Sequence, residues 1–304
     1  MKTIVLVAIA AFSSYAQQLL SGPVPVSESR AVLRVDANLV LVPVTVTDNR
    51  GGVIPNLGRT DFLLTEEKRP QEIVSFSHET APISLGMLVD LSGSMENKIA
   101  KVHTAVGALL DSLEPEDEEF LVTFADRPEL RLPFTSDPST IRSALSFARP
   151  AGSTALFDAV ALAVREMRSA QNRRRVLFVI SDGGDNHSRL TERELRHLLD
   201  EEDVQIHAIG IHDHMAGPDE ARGPGILEDL ARITGGQHHM VEKIDELPAI
   251  AKQMGLALHD RYVLGYKPTP IGDAGTFRRI DVKVVQPASK AKKYVYARRG
   301  YRLP

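Results

Sequence analysis

Residues 83–95 read ISLGMLVDLSGSM, and this stretch decides the fold. From Ile83 to Val89 the run is apolar apart from Ser84 and Gly86, and Pro82 bounds it. A short apolar run without alternation is the pattern of a strand buried on both faces, as in a parallel sheet. Asp90, Ser92 and Ser94 follow on alternate residues, with Gly93 permitting a tight turn, and an amphipathic pattern covers residues 98–113. A strand, a polar turn and a helix in that order set three oxygen-bearing side chains at the carboxyl edge of a parallel sheet. That edge is where open α/β sheets bind ligands. The turn by itself has a second reading, in which Ser92 or Ser94 is a helix N-cap for free backbone N–H groups.

Downstream the pattern alternates strand and helix. Residues 119–124 and 129–134 read as a hairpin across Asp126-Arg127-Pro128, and residues 138–148 as a helix capped by Ser136 or Asp137. A helix over 156–169 carries Val160, Val164 and Met167 at helical spacing. Residues 174–181, RRVLFVIS, form another buried strand running into Asp182-Gly183-Gly184-Asp185, with Arg173-Arg174-Arg175 as its solvated lead-in. Thr191 and Glu194 make a capping box at the start of a helix over 191–200. A strand over 204–211, a helix over 225–233 closed by Gly235-Gly236, a strand over 238–241 and a helix over 246–258 complete the series. Repeated βα units predict a doubly wound, Rossmann-like, mostly parallel sheet with helices on both faces.

The two ends are β-rich. Residues 38–47, NLVLVPVTVT, alternate, and the turn at 48–52 reads as a hairpin start. Residues 62–64 and 73–76 read as short strands separated by a polar turn at 66–70. Three more strands are expected over 261–266, 277–285 and 293–298. Neither end is large enough to bury a core alone. The expectation is a single β-sandwich built from residues 38–78 and 260–304, with the α/β domain of residues 82–258 inserted between them; two separate β appendages are the alternative.

The first 16 residues read as a signal peptide: Met1-Lys2, an apolar stretch at 4–12 too short to span a bilayer, and Ser14-Tyr15-Ala16 before a cut. Residues 17–37 are a Ser-, Pro- and Gly-rich linker. A secreted or periplasmic protein follows, with no transmembrane segment after signal cleavage. The formal net charge of −4 gives no basic field for nucleic acid. The absence of Cys excludes disulfides, thiolate metal sites and a cysteine nucleophile.

Two further turns carry oxygen donors. Thr154 lies in Gly152-Ser153-Thr154-Ala155 ahead of a helix, and Asp182 ends a strand. If the strands ending at Asp90 and Asp182 are near neighbours, one edge of the sheet gathers two carboxylates and three hydroxyls. A set of hard oxygen donors suits Mg²⁺ or Mn²⁺ rather than zinc. Only two formal negative charges face the ion, so it stays electrophilic and open to a carboxylate from a partner.

The order Asp90-x-Ser92-x-Ser94, Thr154 and Ser181-Asp182-Gly183 resembles the metal-ion-dependent adhesion site of von Willebrand factor type A (VWA) domains. Leu227-x-x-Leu230-Ala231-x-x-Thr234-Gly235-Gly236 is similar to the same family, over about residues 82–258. The flanking Leu41-Val42-x-Val44-x-Val46 and Tyr262-x-x-Gly265-Tyr266 resemble a secreted acidobacterial VWA-related group. The resemblance implies binding rather than catalysis. Hydroxyls at Ser92, Ser94 and Thr154 would ligate Mg²⁺ or Mn²⁺, and Asp90 and Asp182 would act directly or through water. A Glu or Asp of a protein partner would complete the sphere.

Other chemistries have weaker patterns. No Gly-x-Ser-x-Gly elbow or phosphate-binding loop occurs. A hydrolase using the same ion as a Lewis acid is the alternative, with Asp185 the one carboxylate close in sequence to the ligands; a metal-free scaffold is a third reading. His212-x-His214 and His238-His239 are candidate transition-metal ligands, Asp185 and Asn186 candidate rim residues, and the loop at 212–224 a candidate partner contact.

Overall fold

The structure is a computed structural model describing residues 39–49, 51–182, 184–211, 223–268, 275–285 and 292–303. The expected signal peptide and linker, the pair His212 and His214, and most of the loop at 212–224 lie outside these residues.

The decisive stretch forms β5 (Ile83–Asp90), buried at every position. It lies in the middle of a six-stranded sheet with β6 (Glu118–Phe124), β7 (Pro128–Thr135), β8 (Arg174–Ser181), β9 (Gln205–Ile211) and β10 (His238–Val241), in the order β10-β9-β8-β5-β6-β7. All neighbours are parallel except β7, which returns antiparallel to β6. Burial on both faces explains why β5 and β8 read as unbroken apolar runs. Gly86 is part of the same packing. A Cβ there would sit 2.3 Å from Phe120 Cζ and 2.6 Å from Leu177 Cδ2, so side chains of the two flanking strands fill the gap.

Helices α1 (Ile99–Leu110), α2 (Pro138–Ser146) and α6 (Leu247–Leu258) cover one face, packing Val102, Ile141 and Met254 against Met87 and Phe178. Helices α3 (Leu156–Glu166), α4 (Glu192–Glu201) and α5 (Gly223–Thr234) cover the other, with Val160, Leu195 and Leu227 against Leu88 and Val179. Asp137 caps α2 by accepting from Ser139 N, and Thr191 with Glu194 forms the capping box of α4. The doubly wound fold class is the one the βα rhythm predicts.

The chain ends form two more four-stranded sheets. One has the order β13-β1-β11-β4, from β13 (Tyr294–Ala297), β1 (Val40–Thr47), β11 (Asp260–Tyr266) and β4 (Ile73–Thr80). The other has the order β14-β12-β2-β3, from β14 (Gly300–Arg302), β12 (Phe277–Val284), β2 (Phe62–Glu66) and β3 (Arg69–Gln71). Val42, Val44, Tyr262 and Leu264 of the first share one apolar core with Phe62, Leu64, Ile280 and Val282 of the second. Both chain ends thus contribute to one flanking β structure. Chain entry to β5 and exit from α6 run side by side, since β4 and β11 pair with Thr80 opposite Asp260.

Three local readings change. The turn at 48–52 opens no hairpin: it closes on one bridge, Thr47 to Val53, and β1 finds its partners in β11 and β13. The polar segment after β2 is itself a hairpin. Glu67 and Lys68 turn at φ +48° and +64°, Pro70 lies in the edge strand β3, and β4 then crosses to the opposite sheet. Arg174 is no solvated lead-in. It is buried and donates to the Leu258 and His259 carbonyls at the end of α6, where a cation meets the negative end of the helix.

Candidate metal-binding edge

Asp90 and Ser181 are the last residues of adjacent parallel strands, one step beyond the paired Val89 and Ile180. The register brings the two side chains together, and Ser181 Oγ donates to Asp90 Oδ2 at 2.5 Å. Asp90 Oδ1 accepts from Ser92 N at 2.8 Å, which turns the chain sharply out of β5. Backbone bonds then tie the three turns to one another. Gly93 N donates to the Gly152 carbonyl, Ala151 N to the Leu91 carbonyl, and Asn186 N and His187 N to the Thr154 carbonyl. Gly152 has φ +86°, and a Cβ there would sit 2.7 Å from Asp126 Oδ1, the atom that accepts from Ser153 N. A glycine is required at that position.

The side chains of this edge are held by residues around it. Thr154 N donates to Asn186 Oδ1 at 2.8 Å, and Thr154, Ser92, Asp90 and Asp182 are all buried, with Ser94 half-buried. The Ser92 and Ser94 hydroxyls lie 3.1 Å apart. Neither serves as a helix cap: the N-cap of α1 is Lys98, and Ser92 makes no side-chain cap bond to the short turn Gly93–Met95. Thr154 does not cap α3 either, whose N-cap is Ala155. The capping alternative is therefore absent from all three hydroxyls.

Electrostatics at this edge are those of anions withdrawn from water. Burial pushes the Asp90 carboxyl up to about 7, the Ser181 hydrogen bond opposes that rise, and the charge of Asp182 adds to it. Lys98 Nζ donates to Asp182 Oδ2 at 2.8 Å, and both side chains are largely buried. The donor set is all oxygen, two carboxylates and three hydroxyls on turns joined by backbone hydrogen bonds. It fits a hard divalent ion in chemical kind.

Sequence reasoning missed Lys98 as a member of the edge, and it quoted Ser181 in the motif around Asp182 without its contact to Asp90. Ser181 stands at the end of its strand as Asp90 stands at the end of β5, a symmetry visible once the two runs are aligned on their apolar parts. Asp185, by contrast, belongs to the scaffold, with Oδ1 accepting from Phe157 N at the start of α3 and from Ser188 Oγ. His238 and His239 are half-buried on β10, and among the described residues no three His, Asp or Glu side chains group around a possible ion.

A model of the von Willebrand factor type A domain matches residues 85–184, which span all three turns. Among solved structures, a von Willebrand factor type A protein from Catenulispora acidiphila is 12% identical, with a TM-score of 0.52 over 88% of this chain and 74% of that one. Proximal thread matrix protein 1 from the mussel byssus is 18% identical, with a TM-score of 0.50 over 62% and 49% of the two chains. BatB from Bacteroides thetaiotaomicron is 20% identical and is covered over 98% of its length by 58% of this chain, at a TM-score of 0.47. At such identities the likeness is one of fold. No curated protein matches the chain. Among the described residues no helix is long and apolar enough to cross a membrane.

Proposed function

Starting from a chain that carries a von Willebrand factor type A domain, we propose a divalent-metal-dependent protein-binding module, secreted or periplasmic, that captures an acidic residue of its partner. Domains of this family serve in protein interaction, and the finer claim concerns how this one does so. One observation carries it: the turns bearing Asp90, Ser92, Ser94, Thr154 and Asp182 are laced together at the carboxyl edge of the sheet, and the hydroxyls are not consumed as helix caps. Mg²⁺ or Mn²⁺ is the ion such donors prefer. Ser92, Ser94 and Thr154 would hold it, with Asp90 and Asp182 acting directly or through water. When bound, the ion would supply an electrophilic position for a Glu or Asp carboxylate.

The residues themselves do the positioning. Ser181 and Ser92 N fix both oxygens of Asp90, and Asn186 fixes the loop of Thr154. The test is retention of surface proteins of the native host on the immobilised chain. Capture in Mg²⁺ that EDTA reverses, and that Thr154→Ala abolishes, is the expected result. The same proteins held equally well in EDTA would contradict it.

A further inference from the structure

The outer face of the sheet β14-β12-β2-β3 looks across a groove at helices α4 and α5. Alternation along the strands dictates what lines it. Phe62, Leu64, Ile280 and Val282 turn into the sandwich core, so Leu63, Thr65, Arg279 and Asp281 turn outward. The groove has a volume of about 1030 Å³, and an adjoining cavity of about 350 Å³ shares Arg232, Asp281 and Arg299 with it. The groove lies at the upper end of the roughly 300–1,000 Å³ of ordinary small-molecule pockets.

Its charge runs against that of the chain. Among the described residues the lining carries seven Lys or Arg side chains against three Asp or Glu, on a protein of formal net charge −4. The three acids are already engaged, as are four of the cations, Arg196, Arg232, Lys283 and Arg302. Asp200 accepts from Arg302 at 2.8 Å, Asp281 faces Lys283 at 3.4 Å, and Glu67 accepts from the Arg279 backbone at 2.7 Å. Among the described residues Lys68, Arg279 and Arg299 have no side-chain ion pair. Leu63 and Phe277, 41% and 37% exposed, give the same groove an apolar wall.

We propose that this groove binds an extended acidic segment of a partner protein, its carboxylates on Lys68, Arg279 and Arg299 and an apolar side chain on Leu63 and Phe277. The apolar wall favours a peptide over a polyphosphate or a sulfated glycan, which has nothing to set against it. Recognition falls to side chains, because the nearby edge strand β3 contains Pro70 and lacks that N–H for an added strand. The groove and the metal edge are built from different residues, so the two readings stand or fall separately.

The test uses the full chain in EDTA, which keeps any divalent ion out. A fluorescein-labelled nonapeptide, three repeats of Glu-Glu-Phe, is titrated and followed by anisotropy. Binding that weakens about tenfold in Arg279→Gln/Arg299→Gln, weakens in Leu63→Ser and is unchanged in Thr154→Ala is the expected result. Both arginines are exposed, so the circular dichroism melt should not move. Equal binding by the double variant, or by a peptide with Lys in place of Glu, would overturn the proposal. So would polyphosphate displacing the peptide with an affinity that Leu63→Ser leaves intact, which marks a polyanion site. Concentration-dependent self-association without peptide binding would also overturn it, in favour of a second copy.

Discussion

Lys98 Nζ lies 2.8 Å from Asp182 Oδ2, so one of the two carboxylates of the candidate metal edge already faces a tethered cation. A divalent ion drawing on Asp182 competes with that ammonium or shares the carboxylate with it, and like charges at such range repel. Lys98→Met is expected to tighten Mn²⁺ binding by about tenfold, equivalent to about 1.4 kcal/mol. Lys98→Arg should leave it near the wild-type value. Manganese titration followed by electron paramagnetic resonance reads this directly; weaker binding by a folded Lys98→Met would show that the lysine organises the site instead.

Glu119 gives the fold a pH dependence of definite sign. Burial in β6, reinforced by the charges of Asp117, Asp137 and Glu118, pushes its carboxyl from 4.5 up to about 7. The folded chain holds that proton more tightly than the unfolded one does. The resulting stability is complete below pH 4.5 and is lost as pH rises through about 7. The ionised form therefore costs about 3 kcal/mol at high pH. Glu119→Gln should raise Tm at pH 8 and have little effect at pH 4; equal effects at both would contradict this.

Glu66 is the polar centre of the β-sandwich. One oxygen accepts from Tyr266 at 2.9 Å and Tyr301 at 2.8 Å, and the other from Arg278 at 2.8 Å. Removing one partner of a buried pair leaves an uncompensated charge, so Glu66→Ala should cost about 3–5 kcal/mol in urea unfolding. Tyr301→Phe, which deletes one hydrogen bond, should cost about 1 kcal/mol. Similar losses for the two would remove the carboxylate from the centre of the network.

The central sheet was legible because its strands are buried on both faces, which turns residues 83–89 and 176–181 into unmistakable apolar runs. The three donor-bearing turns were legible for a related reason, since two follow such strands and the third precedes the apolar helix α3. What escaped notice depends on strand order and on contacts between distant segments. Ser181 meets Asp90 across 91 positions of sequence, and only the pairing of β5 with β8 joins them. Lys98 resembles any lysine at a helix start until Asp182 arrives beside it. Arg174 read as solvated because nothing local announces that the last carbonyls of α6 land on it. The turn at 48–52 had hairpin chemistry, yet β1 is claimed by strands from the far end of the chain.

Calorimetric titration of Mg²⁺ into the full chain, beside Thr154→Ala and Asp182→Asn, tests the central claim most directly. One ion per wild-type chain is predicted, with affinity lowered about tenfold or more in each variant, consistent with loss of about 1.4 kcal/mol or more. The metal-free melting temperature of Thr154→Ala should stay near that of wild type. Absence of saturable binding, or equal binding by all three proteins, would contradict the metal-dependent account.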